Sequence, residues 1–170
     1  HVEAGGSHTC GLLDDGNVEC WGSNVSGQVG DGTTDDRLSP TSIDMSGIGG
    51  VTDLAAGDAH SCLVEGDSRV LCWGDNNSSQ LGDGTVMDRS TPVEVDSGAI
   101  ADPEAVEVAT GSRHSCARLS DGTIACWGAN GDGQLGDASN ESRQSPQTTV
   151  GMVTAASQIS AGGDQTCAID

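Results

Sequence analysis

The amino-acid sequence predicts an all-β fold in which four-stranded units of about 52 residues stack side by side as the blades of a β-propeller. A long segment of the chain occurs three times and begins a fourth time. Each copy has the two-residue alternation of a β-hairpin, and none shows the 3.6-residue periodicity of a helix. The 26 glycines among 170 residues also favour short strands joined by tight turns.

The repeat consists of two blocks. The first occurs as GSHTCGLLDDGNVECWGSN (6–24), DAHSCLVEGDSRVLCWGDN (58–76) and SRHSCARLSDGTIACWGAN (112–130), and the second as GQVGDGTTDDRLSP (27–40), SQLGDGTVMDRSTP (79–92) and GQLGDASNESRQSP (133–146). The first cysteines of successive copies are 52, 54 and 51 residues apart: Cys10, Cys62, Cys116 and Cys167. These spacings predict a partial propeller over 1–170, with repeats at 1–50, 51–104 and 105–157 and the start of a fourth at 158–170.

The first block has the internal pattern of a β-hairpin that turns at Asp14-Asp15-Gly16. Asp and Gly at such a turn favour a three-residue loop with the glycine in the left-handed region. Folding the chain about this turn places Cys10 opposite Cys20. The second copy has the same register, and on its other face it places opposite charges across from each other at Glu65 and Arg69.

The charge balance is strongly acidic, with 26 acidic residues against 6 basic ones and a formal net charge of −20. Such a surface repels a phosphate backbone and an anionic membrane, so we expect neither nucleic acid nor a membrane surface as a partner. No apolar run approaches the roughly 20 residues that a membrane-spanning helix needs, so we expect no membrane insertion. The charge serves solubility, or it forms an acidic face for a basic partner or for Ca²⁺.

Four motifs resemble the regulator of chromosome condensation repeat, and most closely its cysteine-containing form in secreted bacterial proteins: G-x-x-H-[ST], C-W-G-x-N, G-Q-L-G-D-G-T and D-R-x-x-P. The resemblance covers essentially the whole chain. It implies a propeller, usually of seven blades, which needs on the order of 360 residues at this spacing. This chain holds about three and a third repeats and starts at His1 without a methionine. We therefore expect either a processed or truncated fragment, or several chains that complete one structure.

Six of the seven cysteines form three pairs of identical spacing, each directly opposed across its hairpin. Opposed strand positions bring Cβ atoms close to the separation that a disulfide requires. We expect three disulfides: Cys10–Cys20, Cys62–Cys72 and Cys116–Cys126. Disulfides indicate an extracytoplasmic chain, whether secreted, periplasmic or on a cell surface, and buried free thiols in a reducing cytosol are the alternative. Cys167 is left unpaired, with a partner either beyond the last residue or in another chain.

A histidine stands two residues before the first cysteine in three copies: His8, His60 and His114. Histidine and cysteine on one strand face resemble a zinc set, but three ligands per repeat fall short of a closed structural site. The fourth copy has Gln165 at this position, and glutamine can replace a hydrogen bond but not an imidazole ligand. We interpret these histidines as structural hydrogen-bonding residues, with metal binding as the alternative.

Each complete copy also repeats one tryptophan and one arginine. The aromatic position predicts packing between blades rather than a ligand platform: Trp21, Trp73 and Trp127. The acidic turns lack the alternating ligands and closing Glu of an EF-hand, so we interpret each Asp as a residue that caps its own turn. Half of the basic residues follow these turns, which favours structural ion pairs at Arg37, Arg89 and Arg143.

The residues that differ between copies are expected to carry the function, because the shared ones are required by the fold. They form the connectors 41–50, 93–105 and 147–157 and the loops 23–26, 75–79 and 129–132. Four glycosylation sequons are compatible with exposed loops: Asn24, Asn76, Asn77 and Asn140. Nothing resembles a nucleophile elbow or a phosphate loop, so we expect no enzyme, no catalytic residue, no cofactor and no metal.

The sequence thus predicts a non-catalytic, extracytoplasmic propeller that acts as a structural or protein-interaction module, as a subunit of a surface or extracellular assembly. The resemblance implies a protein partner, and unpaired edges at the ends of the array favour self-assembly. Two alternatives remain, a guanine-nucleotide exchange factor, for which the family is known, and a Ca²⁺-dependent binding module. Regularly paired cysteines are not expected in a cytosolic exchange factor.

Overall fold

The computed structural model describes residues 1–96, 98–100, 104–150 and 155–170. In these ranges fourteen β-strands form three four-stranded antiparallel sheets and one two-stranded sheet. One short 3₁₀ helix, at Gly98–Ile100, is the only helix among the described residues. The predicted fold class, an all-β array of four-stranded blades, is confirmed.

Each sheet is hydrogen-bonded in chain order. Blade 1 contains β1 (Val2–Ala4), β2 (His8–Leu12), β3 (Val18–Gly22) and β4 (Arg37–Ser42). Blade 2 contains β5 (Val51–Ala56), β6 (His60–Glu65), β7 (Val70–Gly74) and β8 (Arg89–Glu94). Blade 3 contains β9 (Ala105–Thr110), β10 (His114–Leu119), β11 (Ile124–Gly128) and β12 (Arg143–Thr148). The fourth sheet contains β13 (Gln158–Gly162) and β14 (Gln165–Ile169).

The central hairpin of each blade has the register that the sequence predicts. Cys10 on β2 pairs with Cys20 on β3, and the same positions pair in blades 2 and 3. The turn of blade 1 is closed by the N–H of Leu13, which donates to the carbonyl of Asn17 at 2.9 Å. Gly16 has a φ of 84°, a conformation that favours glycine, although Ser68 adopts a φ of 69° at the equivalent position of blade 2.

The hydrophobic core lies between the blades. Because side chains alternate along a strand, each blade presents one face to the preceding blade and one to the following blade. On blade 2, Leu63 and Trp73 pack against Val18 and other apolar residues of blade 1. Cys62, on the opposite face, belongs to the cluster that contains Trp127 of blade 3. Stacking on both sides buries every residue of β6 and β7.

The first strands of the four sheets lie beside one another on the inner side of the array. Hydrogen bonds from the backbone to acidic side chains tie them together. The N–H of Val108 on β9 donates to Asp53 on β5 at 2.8 Å, and the N–H of Ile159 on β13 donates to Glu107 on β9 at 3.3 Å. Burial raises the pKa of Asp53. The inner strands are therefore held in fixed relative positions by polar contacts as well as by packing.

The fourth strand of each complete blade is the outer edge of its sheet and contains one proline: Pro40, Pro92 and Pro146. Proline has no N–H to offer to an incoming strand, so this position protects the edge from pairing with other chains.

Candidate functional site

Three disulfides close the central hairpins, one in each complete blade. The sulfur–sulfur distances are 2.09–2.11 Å and the Cα–Cα distances are 4.1 Å in Cys10–Cys20, Cys62–Cys72 and Cys116–Cys126. All six cysteines are fully buried and belong to the cores between blades. Cys167 on β14 is a free, exposed cysteine. Each cystine therefore both closes a hairpin and supplies apolar surface to the contact with the following blade.

A repeated polar contact, here called the interblade joint, connects each blade to the next. Nε2 of His8 on blade 1 lies 2.8 Å from Oγ of Ser61 on blade 2. The Ser61 hydroxyl donates to the carbonyl of Gln28 at 3.2 Å, so the imidazole donates its Nε2 proton to that hydroxyl. The same joint occurs twice more, as His60–Ser115–Gln80 and His114–Thr166–Gln134.

The tryptophans complete the joints. Trp73 donates its Nε1 proton to the carbonyl of Gln28 at 2.9 Å, and its ring lies on Gly30, where a Cβ atom would come within 2.7 Å of it. Trp127 makes the corresponding contacts with blade 2. Trp21 occupies the same repeat position in blade 1 and is partly exposed, because no other described blade covers that face.

Burial keeps the joint histidines neutral. Desolvation lowers the pKa of His60 to about 3 and that of His8 to about 4, and it also lowers the pKa of His114. Nδ1 of each ring is buried without a hydrogen-bond partner among the described residues. A proton on this nitrogen would therefore place an uncompensated charge between two blades.

The joint histidines are expected to make stability depend on pH. An unfolded imidazole binds its proton below about pH 6.5, whereas the folded His60 binds one only near pH 3. Between these values the unfolded state holds more protons, so the free energy of unfolding decreases as the pH falls from 6.5 towards 4. The expected loss is on the order of 1 kcal/mol per pH unit for each buried histidine.

The variant His60→Gln keeps a donor for Ser115 and removes the titrating group; the fourth repeat also has a glutamine, Gln165, at this position. Denaturant unfolding at pH 7, 5.5 and 4.5 should give a shallower pH dependence for this variant. His1→Gln is the comparison variant: His1 is 48% exposed and pairs only with the part-exposed Glu3, so its loss should change the slope far less than the loss of a buried imidazole. Equal slopes in His60→Gln and the parent chain would contradict the assignment.

A repeated asparagine holds the second block of each copy. The Asn24 amide donates to the carbonyls of Thr33 and Asp35 at 3.1 and 3.0 Å, and its Oδ1 accepts the N–H of Val29 at 2.9 Å. The equivalent residues Asn76 and Asn130 make the same contacts in their blades, and all three are 0% exposed. In one copy of the repeat nothing indicates that this asparagine is structural. Its recurrence as the last residue of C-W-G-x-N in all three copies does indicate it.

The acidic turns are held by the repeated arginines. The ion pairs are Arg37 with Asp31, Arg89 with Asp83, and Arg143 with Asp137. A hydrogen bond from Ser139, followed in size by one from Arg143, lowers the pKa of Asp137 to about 2 despite the opposing effect of burial. The first aspartate of each turn also accepts bonds from its own turn and from the repeated asparagine. These carboxylates are already occupied by protein donors, which disfavours Ca²⁺ binding there.

The sequons differ in accessibility. Asn24 and Asn76 are fully buried, so the expectation of exposed loops is wrong for both. Their side-chain amides are used inside the fold, and a glycan could not be attached without unfolding the turn. Asn77 and Asn140 are exposed.

Turns that vary between copies carry exposed apolar side chains. Val86 and Met87 in blade 2 are 52% and 58% exposed, and Val25 in blade 1 is 73% exposed. Blade 3 has Asn140 and Glu141 in place of Val86 and Met87. The connectors 93–105 and 147–157 lie partly outside the described residues, which omit 97, 101–103 and 151–154.

Within the described ranges, no group of three or more His, Cys, Asp or Glu side chains is arranged to hold a metal ion. In the same part of the chain, no helix is both long and apolar enough to cross a membrane.

Tandem four-stranded blades, joined by identical side-chain contacts, define this chain as a repeat β-propeller protein. The family model described as the regulator of chromosome condensation (RCC1) repeat matches residues 15–64, 67–118 and 121–169. A second model of the same repeat matches residues 1–28, 51–80 and 105–134. The chain belongs to the RCC1 repeat family.

Similar proteins include the ultraviolet-B receptor UVR8 of Arabidopsis thaliana, which is 29% identical over 99% of this chain and 38% of its own length. Among solved structures, human WBSCR16 has a TM-score of 0.88 at 22% identity, covering 99% of this chain and 43% of that one. Prp20p of Saccharomyces cerevisiae has a TM-score of 0.84 at 20% identity, covering 96% and 41%. The two structures show the same fold, and this chain spans less than half the length of each of these proteins.

Proposed function

We propose that this chain is a non-catalytic protein-interaction or structural module of an extracytoplasmic β-propeller. The observation that carries the proposal is the way its polar side chains are used. The histidines, asparagines and arginines that recur in the repeats are engaged in joints and turns. The exposed turns, in contrast, differ from copy to copy. A variable surface on a constant scaffold is typical of protein recognition.

The disulfides support an extracytoplasmic location. A reducing cytosol does not maintain disulfides, whereas the periplasm, the cell surface and the medium do. Three cystines at the same repeat position are consistent with a scaffold built for such a compartment. The same feature disfavours a cytosolic nucleotide exchange factor.

The charge distribution supports a protein partner with a basic surface. Five of the six arginines form ion pairs with carboxylates of the chain itself: Arg37, Arg69, Arg89, Arg118 and Arg143. The remaining acidic residues leave a strongly anionic surface, which attracts cationic proteins and repels nucleic acid. Prp20p, which has the same fold, binds Gsp1p and histones. We infer a protein partner for this chain by analogy with a protein of the same fold.

The exposed turn of blade 2 provides the test. The double variant Val86→Asn/Met87→Gln makes the turn polar, as it is in the other blades, and keeps the net charge. We expect the oxidised wild-type chain to retain a basic protein from the extracytoplasmic fraction of its source. The double variant should bind this protein roughly tenfold more weakly, a loss of about 1.4 kcal/mol.

Leu38→Ser is the matched control, because Leu38 is fully exposed but lies on the outer strand β4. This variant should bind as the wild type does. Equal binding by the double variant would contradict the proposed surface. Accelerated release of labelled GDP from a guanine-nucleotide-binding protein would instead indicate an exchange factor.

A further inference from the structure

Three exposed apolar side chains lie on the two loops that meet at the first joint, between blades 1 and 2. Val25 is in the loop that follows β3, and Val86 and Met87 are in the turn that precedes β8. These three residues are here called the joint patch. Single exposed apolar residues are common on protein surfaces, whereas a group of them indicates a contact surface.

The backbone packing of the first joint holds the two parts of the joint patch side by side. A Cβ atom on Gly27 would lie 2.6 Å from Cα of Ser90 and 2.9 Å from the carbonyl oxygen of Arg89. Val25 precedes Gly27 by two residues. Met87 in turn precedes Arg89 by two. Chain geometry therefore places Val25 and Met87 within about 20 Å of each other, the reach of roughly six extended residues.

The exposure of the joint patch is a property of its repeat positions. Asn77 and Gly131 hold the position of Val25 in blades 2 and 3, each of which follows another described blade, and both are exposed. Val86 and Met87 lie in blade 2, which has a described blade on each side. Neighbouring blades therefore leave these positions open to solvent.

The second joint, between blades 2 and 3, has the same backbone contact and a polar surface. The N–H of Gly32 donates to the carbonyl of Ser90 at 2.8 Å at the first joint, and the N–H of Gly84 donates to the carbonyl of Gln144 at 3.1 Å at the second. The positions of the joint patch are occupied at the second joint by Asn77, Asn140 and Glu141. The fold therefore does not require apolar side chains at these positions.

The loops that carry the joint patch are acidic. The ranges 23–37 and 75–89 contain six aspartates and two arginines, a net charge of −4. The two arginines pair with Asp31 and Asp83 inside their own turns. The other aspartates of these loops have no arginine partner among the described residues.

Two of these free carboxylates adjoin the joint patch directly. Asp36 accepts the N–H of Asn24, the residue before Val25, at 2.8 Å. Asp88 follows Met87 in the chain. Both aspartates are exposed. The joint patch is therefore an apolar surface with a negative border, and its charge is complementary to a segment that carries cations around apolar side chains.

We propose that the joint patch binds a short segment of a partner protein in which apolar side chains are flanked by Lys or Arg. The apolar side chains would cover Val25, Val86 and Met87, and the flanking cations would pair with Asp36 and Asp88. Burial of apolar area would supply most of the affinity, since exposed ion pairs contribute little. This inference rests on the proposed function and deepens it, because it states the chemistry of the partner segment and adds blade 1 to the site.

Labelled synthetic peptides and the full oxidised chain test the chemistry of the segment. Fluorescence anisotropy compares Gly-Lys-Arg-Leu-Trp-Leu-Arg-Lys-Gly with two variants, one with serines in place of Leu-Trp-Leu and one with Asp and Glu in place of Arg and Lys. We expect single-site binding of the first peptide. The serine peptide should bind at least about tenfold more weakly, and the acidic peptide should not bind. Equal affinity of the two basic peptides would indicate general attraction to an acidic surface and would overturn the inference, as would binding by none of the three.

Substitutions in the chain test the position of the site. Val25→Asn introduces the residue that blade 2 has at this position and should weaken binding of the first peptide about fivefold. Val86→Asn/Met87→Gln should weaken it at least about tenfold. Leu13→Asn is the matched control, since Leu13 is an exposed apolar residue of blade 1 at the opposite end of the β2–β3 hairpin. Unchanged binding by Val25→Asn, or an equal loss in Leu13→Asn, would contradict a site that spans the first joint.

The outcomes separate this inference from the proposed function. Loss of the peptide and of the basic partner protein in the same variants would support both. Retention of the partner protein through the blade 2 turn, with no effect of Val25→Asn on any peptide, would overturn the inference and leave the proposed function standing. Self-association in analytical ultracentrifugation that Val25→Asn abolishes would assign the joint patch to a second copy and would also overturn the inference.

Discussion

Replacing Trp127 with alanine should lower the free energy of unfolding by about 3–5 kcal/mol, the largest single loss that we expect. The ring is fully buried between blades 2 and 3, in the same cluster as the Cys62–Cys72 disulfide. The substitution would leave a cavity against Gly82 and remove a donor from the Gln80 carbonyl. Because the second joint loses its main apolar contact, blades 2 and 3 should unfold at lower denaturant concentration.

Trp21→Ala is the matched control for this prediction. The residue has the same repeat position and also lies between a cysteine and a glycine, but its ring is partly exposed. Its loss should cost less than half as much in equilibrium unfolding followed by circular dichroism. Comparable losses for Trp21→Ala and Trp127→Ala would show that the tryptophans stabilise single hairpins rather than the joints.

Removing the Cys62–Cys72 disulfide by a double substitution to alanine should cost about 2–3 kcal/mol, from the loop-closure entropy of a ring of this size. The hairpin turns within 10 residues, so the unfolded chain gains limited freedom, and lost packing of two buried sulfurs adds to the effect. Denaturation with and without reductant measures this contribution. Reductant should destabilise the parent chain more than the double variant, which keeps two cystines.

Cys167→Ser is the control for the disulfide prediction, since Cys167 is exposed and free. Its stability should equal that of the parent chain in oxidising buffer. A double alanine variant as stable as the parent would mean that the cystine is dispensable for the blade.

The hairpins could be predicted from the sequence because residues close together in the chain determine which positions pair across each hairpin. A two-residue alternation and an Asp-Gly turn determine which residues face each other, so Cys10 opposite Cys20 follows from a few neighbouring positions. The division into repeats at 50, 104 and 157 stays a prediction, because no turn motif or strand pattern marks where one repeat ends and the next begins.

The joints could be predicted only in part. Repetition marked the histidines and tryptophans as structural, but their partners lie far along the chain: His8 contacts Ser61, 53 residues away. A pattern in a single sequence shows that a position is constrained. It does not show which distant residue the side chain contacts. Asn24 was missed for the same reason. Its sequon suggested an exposed loop, whereas the folded turn encloses it.

The candidate surface was predicted least well. Its residues are defined by exposure, which has no local signature, and by variation between copies, which is visible in the sequence. The variable ranges named from the sequence in blade 2, 75–79 and 93–105, do not include Val86 and Met87. Val86 and Met87 lie in a turn whose other residues are engaged in the ion pair and the asparagine contacts. Only the folded structure shows which side chains stabilise this turn and which are exposed to solvent.

We infer that cystines at one repeat position hold this propeller together and that it folds in an extracytoplasmic compartment. Peptide mapping by mass spectrometry, on chain isolated from its native source with free thiols alkylated and no reductant, tests this most directly. We expect linked peptides for Cys10–Cys20, Cys62–Cys72 and Cys116–Cys126. Alkylation of all seven cysteines would contradict both the cystine scaffold and the extracytoplasmic assignment.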